Sequence, residues 1–166
     1  MASNHSLEKL CNKIFKKKVK ISSLNNLLNE INITKKISPC IFNTVEEGAG
    51  HFLAITQTKN GNILLFDPLA SELTKIITEP LNSIFPVIYI NRKKVQSDES
   101  EFCALFCLGF INQFLKGEGI SAYFEMFNEK NNLIHNDRII CEYLMSEIAN
   151  NNIGPLSKKG ARQTFR

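Results

Sequence analysis

HFLAITQTKNGNILLFDP, residues 51–68, is the stretch that decides the fold. Two apolar, β-rich runs, 52–58 and 62–67, are joined through Lys59-Asn60-Gly61. Asn-Gly between such runs predicts a hairpin, because both residues tolerate the positive φ of a tight type I′ turn. Pro68 ends the second strand. The turn lies about midway between His51 and Asp67, so folding the hairpin brings both to one end of the sheet, with a bulge absorbing any small register offset. A carboxylate that accepts from one imidazole nitrogen fixes the tautomer and leaves the other nitrogen as a base. Such pairs are more often structural than catalytic, so chemistry here requires a nucleophile.

The nucleophile stands further along. Residues 102–115 are free of charge and apolar, but too short to span a bilayer and interrupted by Asn112 and Gln113, which predicts a buried core helix. Cys103 falls in its first turn, behind Asp98 and Ser100 as candidate N-caps. The unpaired N–H groups of a helix start favour a thiolate, as does a neighbouring imidazolium. Cys107, one turn further in, lacks that setting and is expected to be a buried, inert thiol. Gln96 stands seven residues before Cys103, and its amide could donate to an oxyanion beside the Cys103 backbone N–H. Taken alone it reads equally as a loop glutamine in water.

Outward from this centre, residues 6–15 have helical spacing, and Ser22 or Ser23 can cap a short helix through Leu24, Leu27, Leu28 and Ile31. Residues 39–43 read as a short buried strand, 45–50 (VEEGAG) as a loop, 73–77 as a short helix and 85–91 as a strand. Gly117 and Gly119 close the buried helix. Further helices are expected over 121–127 and 137–149, and a flexible basic tail from about 155. The order is α+β: helices, a small sheet, one buried helix, then helices.

The 166 residues are 43% hydrophobic and 22% charged, which suits one soluble domain over 1–166 with a substantial core. Phenylalanine supplies 12 residues against three tyrosines and no tryptophan, so it should dominate that core. The start, MASNHSLEKL, has no apolar run behind a basic patch, which argues against a secretory signal. Five cysteines without a CxxC pair point to a reducing compartment, not a disulfide framework. The histidines show no metal-ligand spacing, so no metal is expected. The net charge of +4 is mild but clumped. Lys13, Lys16, Lys17, Lys18 and Lys20 form one cluster, Arg92, Lys93 and Lys94 a second, and Lys158, Lys159, Arg162 and Arg166 a third. Such clusters hold phosphate backbones or are plain solvated faces.

Three stretches carry a resemblance: CIFNTVEEGAGHFLAI (40–55), LLFDP (64–68) and VQSDESEFCALFC (95–107). Their order and spacing are similar to those of the adenovirus endopeptidases, the adenain family. The shared elements are a small strand ending in Asn-Thr, a glycine-bearing loop and His followed by an aromatic residue and Leu-Ala. An acidic residue before Pro follows, then a Gln seven residues ahead of a Cys-x-x-x-Cys helix start. The resemblance covers residues 39–110 and thins beyond them. It implies His51 as general base and acid, Asp67 as orienter, Cys103 as nucleophile and Gln96 as oxyanion donor. It also implies a small, mostly antiparallel sheet packed against helices, with Cys103 heading the central helix. The wider clan, with the SUMO-deconjugating proteases, shares the same order of residues.

The departures are specific. Asp67 stands where adenovirus enzymes have Glu, Phe52 where they have Trp, and Ala104 where Gly follows the nucleophile. Asp98, Glu99 and Glu101 make the loop before Cys103 more acidic. Nearby carboxylates would oppose thiolate formation and favour basic substrate residues. Residues 85–96 contain no cysteine to hold an activating peptide covalently, so a peptide cofactor would bind noncovalently, as an added strand. Viral DNA is a second expected cofactor, contacted through Lys16, Lys17, Lys18, Arg92, Lys93 and Lys94. The expectation is a monomeric thiol endopeptidase that cleaves virion precursor proteins at Gly-containing sites, in the virion and host-cell nucleus, without a membrane. One rival is a deconjugating protease for ubiquitin-like proteins. The other is an inactive relative that binds DNA or capsid.

Overall fold

A computed structural model describes residues 7, 9–12, 19–45 and 50–152. The elements run β1 (Lys20–Ser23), α1 (Leu24–Thr34), β2 (Cys40–Asn43), β3 (Phe52–Gln57), β4 (Ile63–Phe66), α2 (Leu73–Leu81), β5 (Ile88–Ile90), α3 (Cys103–Leu115), α4 (Ile120–Glu125) and α5 (His135–Asn152). The protein is α+β. The five strands lie in sequence order across one mixed sheet. Its centre is antiparallel, β2 with β3 and β3 with β4. Both edges are parallel, each reached by a helical crossover: α1 between β1 and β2, α2 between β4 and β5. The expected antiparallel character thus holds for the central strands that carry the hairpin, and the edges depart from it.

Period-two alternation along β3 divides the core between the two faces of the sheet. Phe52 and Ala54 face α3, with Ile41 and Phe66 from the neighbouring strands. Leu53 and Ile55 face the other way, onto Leu27 and Ile31 of α1 and Ile77 and Leu81 of α2. Ten of the thirteen residues of α3 are buried, which accounts for its lack of a polar face. Leu7 and Cys11, in helical backbone, pack into the same cluster as α3. The remainder of the helix expected over 6–15, and the basic tail from about 155, lie outside the described residues.

Local signals explain most boundaries. Ser23 caps α1, its hydroxyl accepting from the Asn26 N–H at 3.3 Å. Gly117, with φ +73°, turns the chain after α3. The helix expected over 73–77 runs on to Leu81 through Pro80, because the stripe of Ile77 and Leu81 is buried and packing outweighs the lost N–H. The strand expected over 85–91 is confined to Ile88–Ile90.

The hairpin forms with a different turn. Among its residues only Gly61 has positive φ, +88°, whereas a type I′ turn needs it at Asn60 as well. Gly61 N–H donates to the Thr58 carbonyl at 2.9 Å and Thr58 N–H to the Asn62 carbonyl at 2.8 Å. This is a three-residue loop with glycine at the left-handed position. The ladder runs from Gln57 opposite Ile63 to Ala54 opposite Phe66, which leaves Asp67 one residue and His51 three residues beyond the last pair, at the same end.

Aromatic packing locks α3 against α4 and α5. Phe66 stacks on Phe110 at 4.8 Å between ring centroids, and the Tyr123 hydroxyl donates to the Phe106 carbonyl at 2.6 Å. Gly109 makes that approach possible: a Cβ there would lie 2.6 Å from the Tyr123 hydroxyl oxygen and 2.7 Å from Ile140 Cδ1. Gly109→Ala should cost about 1–3 kcal/mol by overpacking. Thermal melting should show this as a fall in Tm of roughly 2–12 °C for a chain of this size, and an unchanged Tm would contradict the packing described.

Candidate functional site

Each member of the site is held by backbone as well as by side chain. His51 precedes β3, and Thr44 grips its peptide from both sides. The Thr44 N–H donates to the His51 carbonyl at 3.0 Å, and the Thr44 hydroxyl accepts from the His51 N–H at 3.2 Å. This gives the Asn43-Thr44 pair a physical role, since Asn43 Oδ1 in turn accepts from Val45 N–H at 3.1 Å. A Cβ on Gly50 would collide with the Asn43 and Val45 side chains, so any larger residue before His51 would have to displace them.

Asp67 follows β4 and is fully buried. Its carboxylate accepts four hydrogen bonds. Oδ1 takes His51 Nε2 at 2.5 Å and Leu69 N–H at 2.9 Å. Oδ2 takes Ser71 N–H at 2.9 Å and the Ser71 hydroxyl at 2.5 Å. Asn91 clamps its backbone, accepting from Asp67 N–H at 2.8 Å and donating to the Asp67 carbonyl at 2.7 Å. Burial alone would push the Asp67 carboxyl up, but the hydrogen bonds from His51 and Ser71 prevail and hold it below its usual range.

Nε2 of His51 is committed to Asp67, and the Cys103 side chain is the second group that acts on the ring. Burial opposes protonation of the imidazole. The hydrogen bonds to Asp67 and Cys103 and the charges of both outweigh it and raise His51 to about 9. Cys103 is the first residue of α3 and is 7% exposed. Its Sγ accepts from the Phe52 N–H at 3.5 Å, and Cys107 Sγ donates to the Phe52 carbonyl at 3.3 Å. Complete burial, reinforced by the charges of Cys103 and Asp67, pushes the Cys107 thiol well above an ordinary cysteine. Cys107 is the buried thiol expected from sequence.

Gln96 is placed differently from His51, Asp67 and Cys103. It is 2% exposed, and its N–H, with that of Val95, donates to the Pro68 carbonyl at 3.0 Å. The loop is therefore pinned one residue beyond Asp67. Its side-chain Nε2 donates to the Ser100 carbonyl at 2.8 Å and not to Cys103, while Oε1 is buried without a partner. Nε2 carries a second proton, so one donor stays available for an oxyanion.

The expected N-caps do not cap α3. Its N-cap is Phe102, without a side-chain cap bond. Asp98 instead pairs with Lys94 at 2.6 Å, and the Ser100 hydroxyl is shared between Phe102 N–H and Asp137. This leaves the first turn of α3 open. Ala104 is 2% exposed, its methyl packed in the core cluster around α3. Of the basic residues, Lys93 closes the C-terminal end of α4, donating to the carbonyls of Phe124 at 2.7 Å and Phe127 at 2.8 Å. Lys16, Lys17 and Lys18 lie outside the described residues.

No disulfide joins the cysteines. Among the described residues no group of three potential ligands could hold a metal ion, and no helix is long and apolar enough to cross a membrane. A cavity of about 150 Å³ between β4, β5, α3 and α4 is lined by Leu64, Tyr89, Ile90, Phe110, Ile120 and Phe124 among others, and by none of the four site residues.

Ser71, Asn91 and Asn136 escaped the sequence reading, and Thr44 entered it only within the Asn-Thr motif of the resemblance. Only Ser71 carried a local sign, a hydroxyl four residues after an Asp-Pro turn. No family model and no curated protein matches the sequence. Among solved structures the fold is similar to the central domain of an uncharacterized protein from Legionella pneumophila. The two are 14% identical with a TM-score of 0.44, over 87% of this chain and 96% of that one.

The signs of the two shifts differ in consequence. His51 is raised in the folded state, so its contribution to stability is complete below about 6.5 and is lost as pH rises through about 9. Asp67 is depressed, so its contribution is present above the ordinary carboxylate range and is lost as pH falls through its folded value. An NMR titration of the His51 ring should show a midpoint near 9. In Asp67→Asn the midpoint should drop toward or below 6.5, because burial then meets less opposition. A midpoint unmoved by that substitution would contradict the pairing as the cause.

Proposed function

We propose that this chain is a cysteine endopeptidase of the viral maturation type. The observation that carries the reading is a single imidazole joining a fully buried aspartate to a cysteine at the open start of a buried helix. Structural His–Asp pairs are common, but a third group in line with the second ring nitrogen is what nucleophilic catalysis requires.

In the proposed reaction the His51 imidazolium already holds the proton of Cys103, and the sulfur attacks a peptide carbonyl carbon. The resulting oxyanion accepts from the Cys103 backbone N–H and the free proton of the Gln96 amide. As the C–N bond breaks, His51 returns its proton to the leaving amine, and the acyl group remains on Cys103 as a thioester. Water, losing a proton to His51, then attacks the thioester. The acid leaves, and the proton stays on His51 beside the freed sulfur of Cys103.

The substrate class, virion precursor proteins cut at Gly-containing sites, rests on the resemblance of residues 39–110 to the adenovirus enzymes. A noncovalent peptide cofactor would add its strand at β5, a sheet edge whose Tyr89 and Ile90 are exposed. DNA as a cofactor rests on the lysine clusters, from which Lys93 is withdrawn by its role at α4.

The test is labelling with iodoacetamide followed by mass mapping, with and without DNA, on wild type and His51→Ala. Cys103 should be modified at least about tenfold faster than the half-buried Cys141, and that advantage should vanish with His51. Equal rates at the two cysteines, unaffected by His51 or DNA, would remove the protease reading and leave a binding module in its place.

A further inference from the structure

The loop over residues 95–102 delivers both Gln96 and Cys103, and two consecutive side chains at the start of α5 hold it. Asn136 is fully buried. Its Nδ2 donates to the Val95 carbonyl at 2.8 Å and to the Asn128 carbonyl at 3.0 Å, and its Oδ1 accepts from Asn128 N–H at 2.9 Å. Its partners are all backbone groups of two loops, so the side chain acts as a rivet between segments that share no secondary structure. Asp137 accepts from the Ser100 hydroxyl at 2.7 Å. That hydroxyl accepts from Phe102 N–H at 3.1 Å, and the Ser100 carbonyl takes the Gln96 amide.

We propose that Asn136 and Asp137 are positioning residues for the reaction, setting the Gln96 amide at the place where charge develops on the substrate carbonyl oxygen. This rests on the reading of Cys103 as nucleophile and Gln96 as oxyanion donor. The loop has two anchors. On one side the Pro68 carbonyl takes Val95 N–H and Gln96 N–H. On the other stand Asn136 and Asp137. Without the second anchor the Val95 carbonyl loses its partner and the loop can pivot about Pro68. Cys103 has an independent hold through α3 and the Phe52 peptide. Loss of Asn136 therefore displaces the oxyanion donor and spares the nucleophile.

Two probes separate these effects in the full-length protein. Iodoacetamide is attacked at carbon with loss of iodide and forms no oxyanion. p-Nitrophenyl acetate is attacked at its carbonyl, passes through an oxyanion and expels p-nitrophenolate, leaving an acetyl thioester on Cys103. Asn136→Ala and Gln96→Ala should each slow acylation at least about tenfold while alkylation stays within about twofold of wild type. The double variant should be no slower in acylation than Gln96→Ala alone. Ser100→Ala, which cuts the Asp137 link at a less buried position, should show the same split to a smaller degree and carries the test if Asn136→Ala does not fold. Acylation that is unchanged, or that falls only in step with alkylation, overturns the positioning role. If that happens while wild-type Cys103 still alkylates selectively and His51-dependently, the proposed protease reading stands without it. If wild-type Cys103 shows no selective reactivity, both fall together.

Discussion

The docking of the first residue of β3 on the first turn of α3 sets the whole site. Two thiols one helical turn apart bracket the Phe52 peptide: its N–H points to Cys103 Sγ and its carbonyl takes the Cys107 S–H. Thiol hydrogen bonds are individually weak, so their importance lies in direction more than in strength. They fix where along the helix the strand sits. His51 is the next residue back along that strand, so its distance from Cys103 follows from this register. The large area buried between β3 and α3 supplies the cohesion, with Phe52, Ala54, Phe106 and Cys107 all below 3% exposure.

Asp67 shows the opposite strategy, in which polar bonds are the cohesion. A carboxylate at zero exposure would be expelled or neutralised without partners. Four hydrogen bonds satisfy it, three of them from Leu69 and Ser71 in the turn that follows. The fourth is the imidazole. The carboxylate is thus oriented by its own turn and by Asn91 before His51 is considered, which leaves the imidazole as the adaptable partner. Orientation of this kind limits the cost of reorganisation when charge moves during a reaction.

How much of this was legible in sequence depended on whether a signal was local. The hairpin and the convergence of His51 and Asp67 could be read because alternation and an Asn-Gly turn are properties of neighbouring residues. The turn type could not, since Asn60 is compatible with either sign of φ and the pairing of Thr58 with Asn62 sets the loop at three residues. β1 was invisible because KISS is short and has a single apolar residue, and becomes a strand only by lying parallel to β2. The Cys103 helix start was legible from its uncharged apolar run. Its caps were not, because Ser100 and Asp98 each had a competing partner, Asp137 and Lys94, brought near by the fold. Asn91 and Asn136 matter through backbone groups 24 and 41 residues away. No local pattern distinguishes such residues from solvated loop asparagines.

The central claim is peptide-bond cleavage by Cys103. It is tested most directly by incubating wild type and Cys103→Ser, with and without added DNA, with a peptide library derived from a whole proteome. New amino termini are then read by mass spectrometry. Wild type should yield new termini that share a common local sequence, and Cys103→Ser should yield none of them. The same termini from both proteins, or none from wild type under either condition, would contradict that claim.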